Sequence, residues 1–172
     1  MERRAYDEHM AHPLVEEAMK KAAIAWVSVG GSPARLLWCL PAEGALWVVS
    51  GLGEQAAPEL TAASEARVTL RGDHGGRIVT WPAAVTRLDP ASDEWRELAP
   101  QLAGKRLNAP MAAEALAARW AEECTVHRLA PTGDPIEAGT DLPDASLAEP
   151  PRDTPARRRT RPPFRFHRVR RR

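Results

Sequence analysis

The chain has little cysteine, little aromatic content outside tryptophan, and almost no lysine. Its 172 residues hold two cysteines, one tyrosine, two phenylalanines and three lysines. Cys39 and Cys124 lie too far apart to make a disulfide framework, and neither belongs to a metal-type cluster. Both stand in apolar surroundings, where a free cysteine behaves as a small hydrophobe. No apolar run approaches the roughly 20 residues that span a bilayer, so no membrane span is expected. The opening MERRAYDEHMAHP carries charge with no apolar stretch behind it. A secretory signal is therefore not expected, and a cytoplasmic protein is the default reading. Internal repeats are lacking too.

What is present suits a single globular domain. Hydrophobic residues make up 44% of the chain, near the average for a packed core. The net charge of +1 hides an asymmetry. Residues 133–172 hold ten Arg and six acidic residues, a balance of +4, which leaves −3 on the rest. The composition shifts at the same place, from spaced apolar segments to a stretch rich in Pro, Gly and charge. Three segments are expected: an N-terminal extension over 1–11, a folded domain over 12–132, and a flexible Pro/Arg-rich tail over 133–172.

Within the folded part, HPLVEEAMKKA reads as a short helix opened by Pro13. AAIAWVSV (22–29), RLLWCL (35–40) and ALWVVS (45–50) are short apolar runs rich in Val and Trp, punctuated by Gly and Pro. They read as strands, with a tight hairpin at Glu43-Gly44 between the second and third. ARVTLR (66–71) places Ala66, Val68 and Leu70 on one face and Arg67, Thr69 and Arg71 on the other. RIVTWPAAVTRL (77–88) is a long strand whose Pro82 predicts a bend or an edge. Two helices follow, the first capped by Ser92, and CTVHRL (124–129) is the last strand. Six strands with helices in the connections predict a mainly β, α+β architecture closed into a barrel, with the helices peripheral.

Several ordered motifs carry a resemblance over residues 12–133: ALWVVSGLGEQAAPEL, ARVTLRGDHGGRIVTWPAAVTRLDP, LAGKRLNAP and RWAEECTVHRLAPTG. Together they resemble the pyridoxamine 5'-phosphate oxidase-like family of FMN-binding split barrels, and more narrowly an actinobacterial subgroup of it. The 21 Arg, against three Lys and one Asn, agree with a GC-rich genome. The resemblance implies a six-stranded split β-barrel and a homodimer with a cofactor in the cleft between subunits. That cofactor is most often FMN, in some members a deazaflavin or haem. Some members are oxidoreductases in which the cofactor supplies hydride transfer, while others have no established activity.

One loop departs from the pattern. Flavin-binding relatives commonly place a Lys or Arg after the third strand, where this chain has SGLGEQAAPEL with no basic residue. Glu54 would repel a phosphate there, which counts against FMN in its standard pose. The remaining candidates for cofactor contact are Ser50 and Gln55 in that loop, Arg71 and Arg77 beside GDHGG, and Arg106 in KRLNAP. Each has a plainer alternative: a solvated strand face for Arg71 and Arg77, and a charged helix end for Lys105 and Arg106.

Other constellations are weaker. His9 and His12 form an HxxH without a third ligand, so no metal is expected. Cys124 and His127 are three apart on a strand and point to opposite faces. Asp73-His74 comes with no nucleophile signature. The six tryptophans suit core and dimer packing, with Trp38 and Trp81 the two most suited to stack on a flavin ring. RRRTRPPFRFHRVRRR (157–172), with nine Arg and two Phe, could contact nucleic acid or another anionic partner, or be merely solvated. Two functions therefore stand: a flavin- or deazaflavin-binding protein acting on a small molecule, and a non-catalytic split barrel that has lost its cofactor.

Overall fold

A computed structural model describes residues 11–71 and 77–139. Helix α1 (Pro13–Met19) precedes strands β1 (Ile24–Ser28), β2 (Arg35–Trp38), β3 (Leu40–Ala42) and β4 (Ala45–Gly51). A 3-10 turn at Pro58–Ala62 leads to β5 (Glu65–Arg71) and β6 (Arg77–Arg87). Helices α2 (Asp93–Lys105) and α3 (Ala113–Glu123), β7 (Cys124–Pro131) and the short β8 (Glu137–Ala138) complete the order. All six expected strands form. The run at 35–40 divides at Cys39 into two strands, and β8 pairs with β6 beyond residue 132.

Seven strands pair antiparallel in the order β2-β1-β5-β6-β7-β4-β3. The first and last members of that path are consecutive in sequence, joined through Cys39 alone. The chain pairs β1 with β2, kinks, and pairs β4 with β3, which nearly closes the barrel and removes most free edge. The β3–β4 hairpin has Ala42 opposite Ala45, with Glu43 and Gly44 both at positive φ, 51° and 68°. That is the primed turn whose twist matches flanking strands.

Alternation along the strands sorts side chains into two cores. Val27, Leu37, Leu46, Val48, Val68, Leu70, Val79, Trp81 and Leu129 fill the barrel, and α1 contributes Val15 and Met19 to the same core. Trp47, Val49, Cys124 and Val126 face outward onto α2 and α3, which supply Trp95, Leu98, Leu102, Leu116 and Trp120. Strand β4 is thus buried on both sides, which explains its unbroken apolar run.

Of the two Pro82 alternatives, the edge needs correction. Strand β6 has β5 on one side and β7 with β8 on the other, so it is not an edge. The Pro82 carbonyl accepts from the Thr132 N–H at 3.0 Å, just past the end of β7. The missing donor therefore faces the place where the ladder with β7 stops. Ser92 caps α2 as expected, its Oγ accepting from the Trp95 N–H at 3.1 Å. Lys105 ends that helix, and Asn108 takes the left-handed conformation at φ 54°. Among the described residues no helix is long and apolar enough to cross a membrane.

Candidate functional site

The loop from Gly51 to Ala57 is folded inward. Gly51 ends β4 at φ 149°, with Cys124 as its register partner. A Cβ there would stand 2.6 Å from the Glu123 carbonyl oxygen, so only glycine lets the two backbones approach this closely. The approach seats the loop against the end of α3, where the Leu52 N–H donates to the Glu123 carbonyl.

Glu54 is the consequence. Its side chain is 1% exposed and accepts three hydrogen bonds: from Arg106 Nε at 2.8 Å, Arg119 Nη2 at 3.1 Å and Trp120 Nε1 at 3.1 Å. Sequence reasoning took Glu54 only as a charge that repels phosphate and missed that it is a buried hub. No local pattern signals it, because its partners lie 52 to 66 residues further along the chain.

Two other candidates in or beside this loop also face the protein. Ser50 is buried, and its Oγ accepts from the Ala57 N–H at 2.8 Å, closing the loop on itself. Gln55 reaches β2: its Oε1 accepts from the Trp38 N–H at 2.6 Å, and its Nε2 donates to the Leu36 carbonyl at 2.9 Å. One amide makes the two bonds an antiparallel neighbour would make, and so seals the free side of a terminal strand. Arg35 on the same strand pairs with Glu59, whose carboxyl it holds below the usual range.

Beyond Gln55 opens a cleft of about 530 Å³. Its walls are Ala22 and Ala23 from the α1–β1 link, Trp38, Cys39 and Leu40 around the β2–β3 kink, Gln55, and Lys105, Arg106 and Leu107 at the end of α2. Small-molecule sites run about 300–1,000 Å³ with apolar walls and few polar groups. Arg106 stands 5.8 Å from the Trp38 ring centroid, and Trp38 lies 6.3 Å from Trp120. The Trp38 indole nitrogen is buried without a hydrogen-bond partner among the described residues. Leu107 is 81% exposed.

Of the five sequence candidates, then, Gln55 and Arg106 line one cleft and Ser50 braces the loop behind it. Arg71 does not line it; its guanidinium lies 5.7 Å from the ring centroid of Trp26. Arg77 opens β6 opposite Arg71, and its side chain lies outside the described residues. Next to Arg71, Thr69 is buried and bonded to Thr80 at 2.8 Å, so that strand face is not simply solvated.

The remaining reactive groups are poorly suited to nucleophilic or metal chemistry. Burial pushes the Cys39 thiol up to about 12, and burial with the nearby Glu54 raises that of Cys124. His127 points into the barrel and Cys124 toward the helices, the opposite faces expected. His12 caps α1, accepting from the Leu14 N–H. His9, Asp73, His74 and the Arg-rich tail lie outside the described residues. Among the described residues no three His, Cys, Asp or Glu side chains gather as a metal site. A second cleft of about 610 Å³ between α1, the β3–β4 hairpin and β7 has a balanced rim of Glu16, Lys20, Glu43 and Arg128.

No protein-family model matches this chain, and no curated protein matches it. Solved structures do. The chain is similar to HutZ, the heme storage protein of Vibrio cholerae, with a TM-score of 0.53 and 14% identity over 73% of this chain and 93% of that one. A putative pyridoxamine 5'-phosphate oxidase from Listeria innocua gives 0.48 and 12%, over 71% of this chain and 94% of its own. An FAD-binding protein from Mesorhizobium loti gives 0.49 and 16%, over 71% and 91%. At such identities the likeness to HutZ establishes the fold, a split barrel of the kind the motifs resembled.

Proposed function

We propose that this chain binds a planar aromatic cofactor of the flavin or deazaflavin class in the cleft at Trp38, Gln55 and Arg106. The observation that carries this reading is a 530 Å³ cleft walled by the Trp38 ring, whose buried indole N–H has no partner among the described residues. A conjugated ring fits the indole face of Trp38 and the apolar walls. The segment at 50–57 does not fit a phosphate, since Ser50, Glu54 and Gln55 are all engaged within the protein. The cofactor, when bound, supplies hydride transfer, which makes the protein an oxidoreductase for a small molecule. The chain's own residues hold and orient the ring.

A homodimer belongs to the same reading. The outer face of β2 and β1 leaves Leu36 39% and Ile24 54% exposed, beside half-buried Trp26 and Trp38. Such an apolar patch marks an interface, and a second copy covering it would enclose the cleft. The competing reading is a non-catalytic barrel without cofactor, whose Arg-rich tail meets nucleic acid or another anionic partner. It is favoured by the internal pairing of Glu54 and Gln55. The test is an absorbance spectrum of the purified protein, followed by titration with FMN and with a deazaflavin. A bound chromophore or saturable binding supports the cofactor reading; no binding of either selects the non-catalytic barrel.

A further inference from the structure

We infer that the Glu54 carboxylate fills, from within the chain, the guanidinium pair that would otherwise take a ligand's phosphate, so that the neighbouring cleft accepts a ring without reading a phosphate ester. Arg106 and Arg119 converge on Glu54 together with the Trp120 indole. Two guanidinium edges and an N–H are the donor set that binds an oxyanion tightly. Both arginines keep about a quarter of their side chains exposed, 26% and 24%, while Glu54 keeps 1%. The cluster also offers more donors than one carboxylate uses. Among the described residues Arg119 Nε is buried without a hydrogen bond, with a Glu123 carboxylate oxygen at 3.9 Å. A phosphate has the additional oxygen that such a surplus suits.

The loop above offers no substitute side chain, because Ser50 and Gln55 are already bonded to backbone. Lys105 remains on the cleft wall. A single flexible ammonium near the surface contributes little. Specificity against phosphate therefore falls to Glu54. For flavins the inference rests on the proposed reading of the cleft, whereas for inorganic phosphate it rests on the Glu54 cluster alone.

The experiment compares riboflavin, FMN and inorganic phosphate on the full chain and on Glu54→Gln, which keeps an acceptor for Trp120. In the unsubstituted protein, riboflavin and FMN should bind within about fivefold of each other, the range a lone exposed lysine allows. In Glu54→Gln, FMN should gain at least about tenfold over riboflavin, since two charge-assisted donors come free. Inorganic phosphate should raise the melting temperature of the variant and leave that of the unsubstituted protein unchanged. FMN binding a hundredfold or so tighter than riboflavin in the unsubstituted protein, on the scale of a charge-assisted cradle, overturns the inference and leaves the cofactor reading standing. Binding of neither flavin overturns the cofactor reading, and the phosphate arm then decides this one. If Glu54→Gln does not fold alone, refolding in phosphate decides: rescue supports the inference, and its absence overturns it.

Discussion

His127 should make this protein acid-sensitive by an amount that can be worked out. The imidazole is fully buried inside the barrel, opposite Val48 on β4 and Arg87 on β6, and neither ring nitrogen has a partner among the described residues. Burial, with the positive charge of Arg87 as a smaller cause, pushes its pKa down from 6.5 to about 4. Above the unfolded value the ring is neutral in both states. As pH falls below it, the unfolded chain takes up a proton that the native state refuses, so native stability drops. The loss accumulates between 6.5 and about 4 and stops below that window. At about 1.4 kcal/mol for each unit, the full effect is roughly 3 kcal/mol. Replacing His127 with Leu removes the titration and also removes a buried N–H whose lack of a partner costs about 1–3 kcal/mol. The assay is urea unfolding of both proteins from about pH 7 to about pH 4.5. Carboxylates such as Glu59 protonate in both, so the difference between the two curves isolates His127. The variant's advantage over the parent should grow progressively as pH falls. Parallel curves would refute the reasoning and mean that the native imidazole takes up its proton as readily as the unfolded one.

Three further outcomes follow from the loop and its neighbours. Gly51→Ala should cost roughly 3 kcal/mol in denaturant unfolding, because its Cβ meets backbone at 2.6 Å and its φ of 149° suits glycine. Gln55→Ala should cost about 2 kcal/mol and increase light scattering on heating, because it bares the Trp38 N–H and Leu36 carbonyl on a strand edge. Ser92→Ala should cost about 1 kcal/mol by thermal unfolding, the usual worth of a helix N-cap.

The sequence made the strands and helices legible because each signal was local. Glu43-Gly44 sits inside one hairpin, Ser92 caps the helix it opens, and period-two alternation in ARVTLR reports which face is inside. The kink at Cys39 was not legible. After Arg35, RLLWCL is uniformly apolar, and only the pairing partners, β1 for one half and β4 for the other, divide it. The site was less legible still. The strand contact of Gln55 had no signal in the sequence, where its amide stands in a Gly-containing loop. Its partners are backbone groups of a strand 17 and 19 residues earlier. That Glu54 is a buried hub was not legible for the same reason, since its partners stand at the end of α2 and on α3. Arg106 lines the cleft and at the same time ends a helix, so both readings of KRLN describe one residue.

The central claim, that the cleft at Trp38 holds a planar ring, is tested most directly by the indole N–H resonances of the six tryptophans. Nitrogen-15 correlation spectra are recorded while riboflavin is added, with the Trp38 signal assigned through Trp38→Phe. The account predicts that the Trp38 indole signal shifts in a saturable way. Trp81, sealed in the barrel, and Trp47, bonded to the Ala42 carbonyl, should stay in place. A Trp38 signal that does not move while riboflavin is in large excess contradicts the claim.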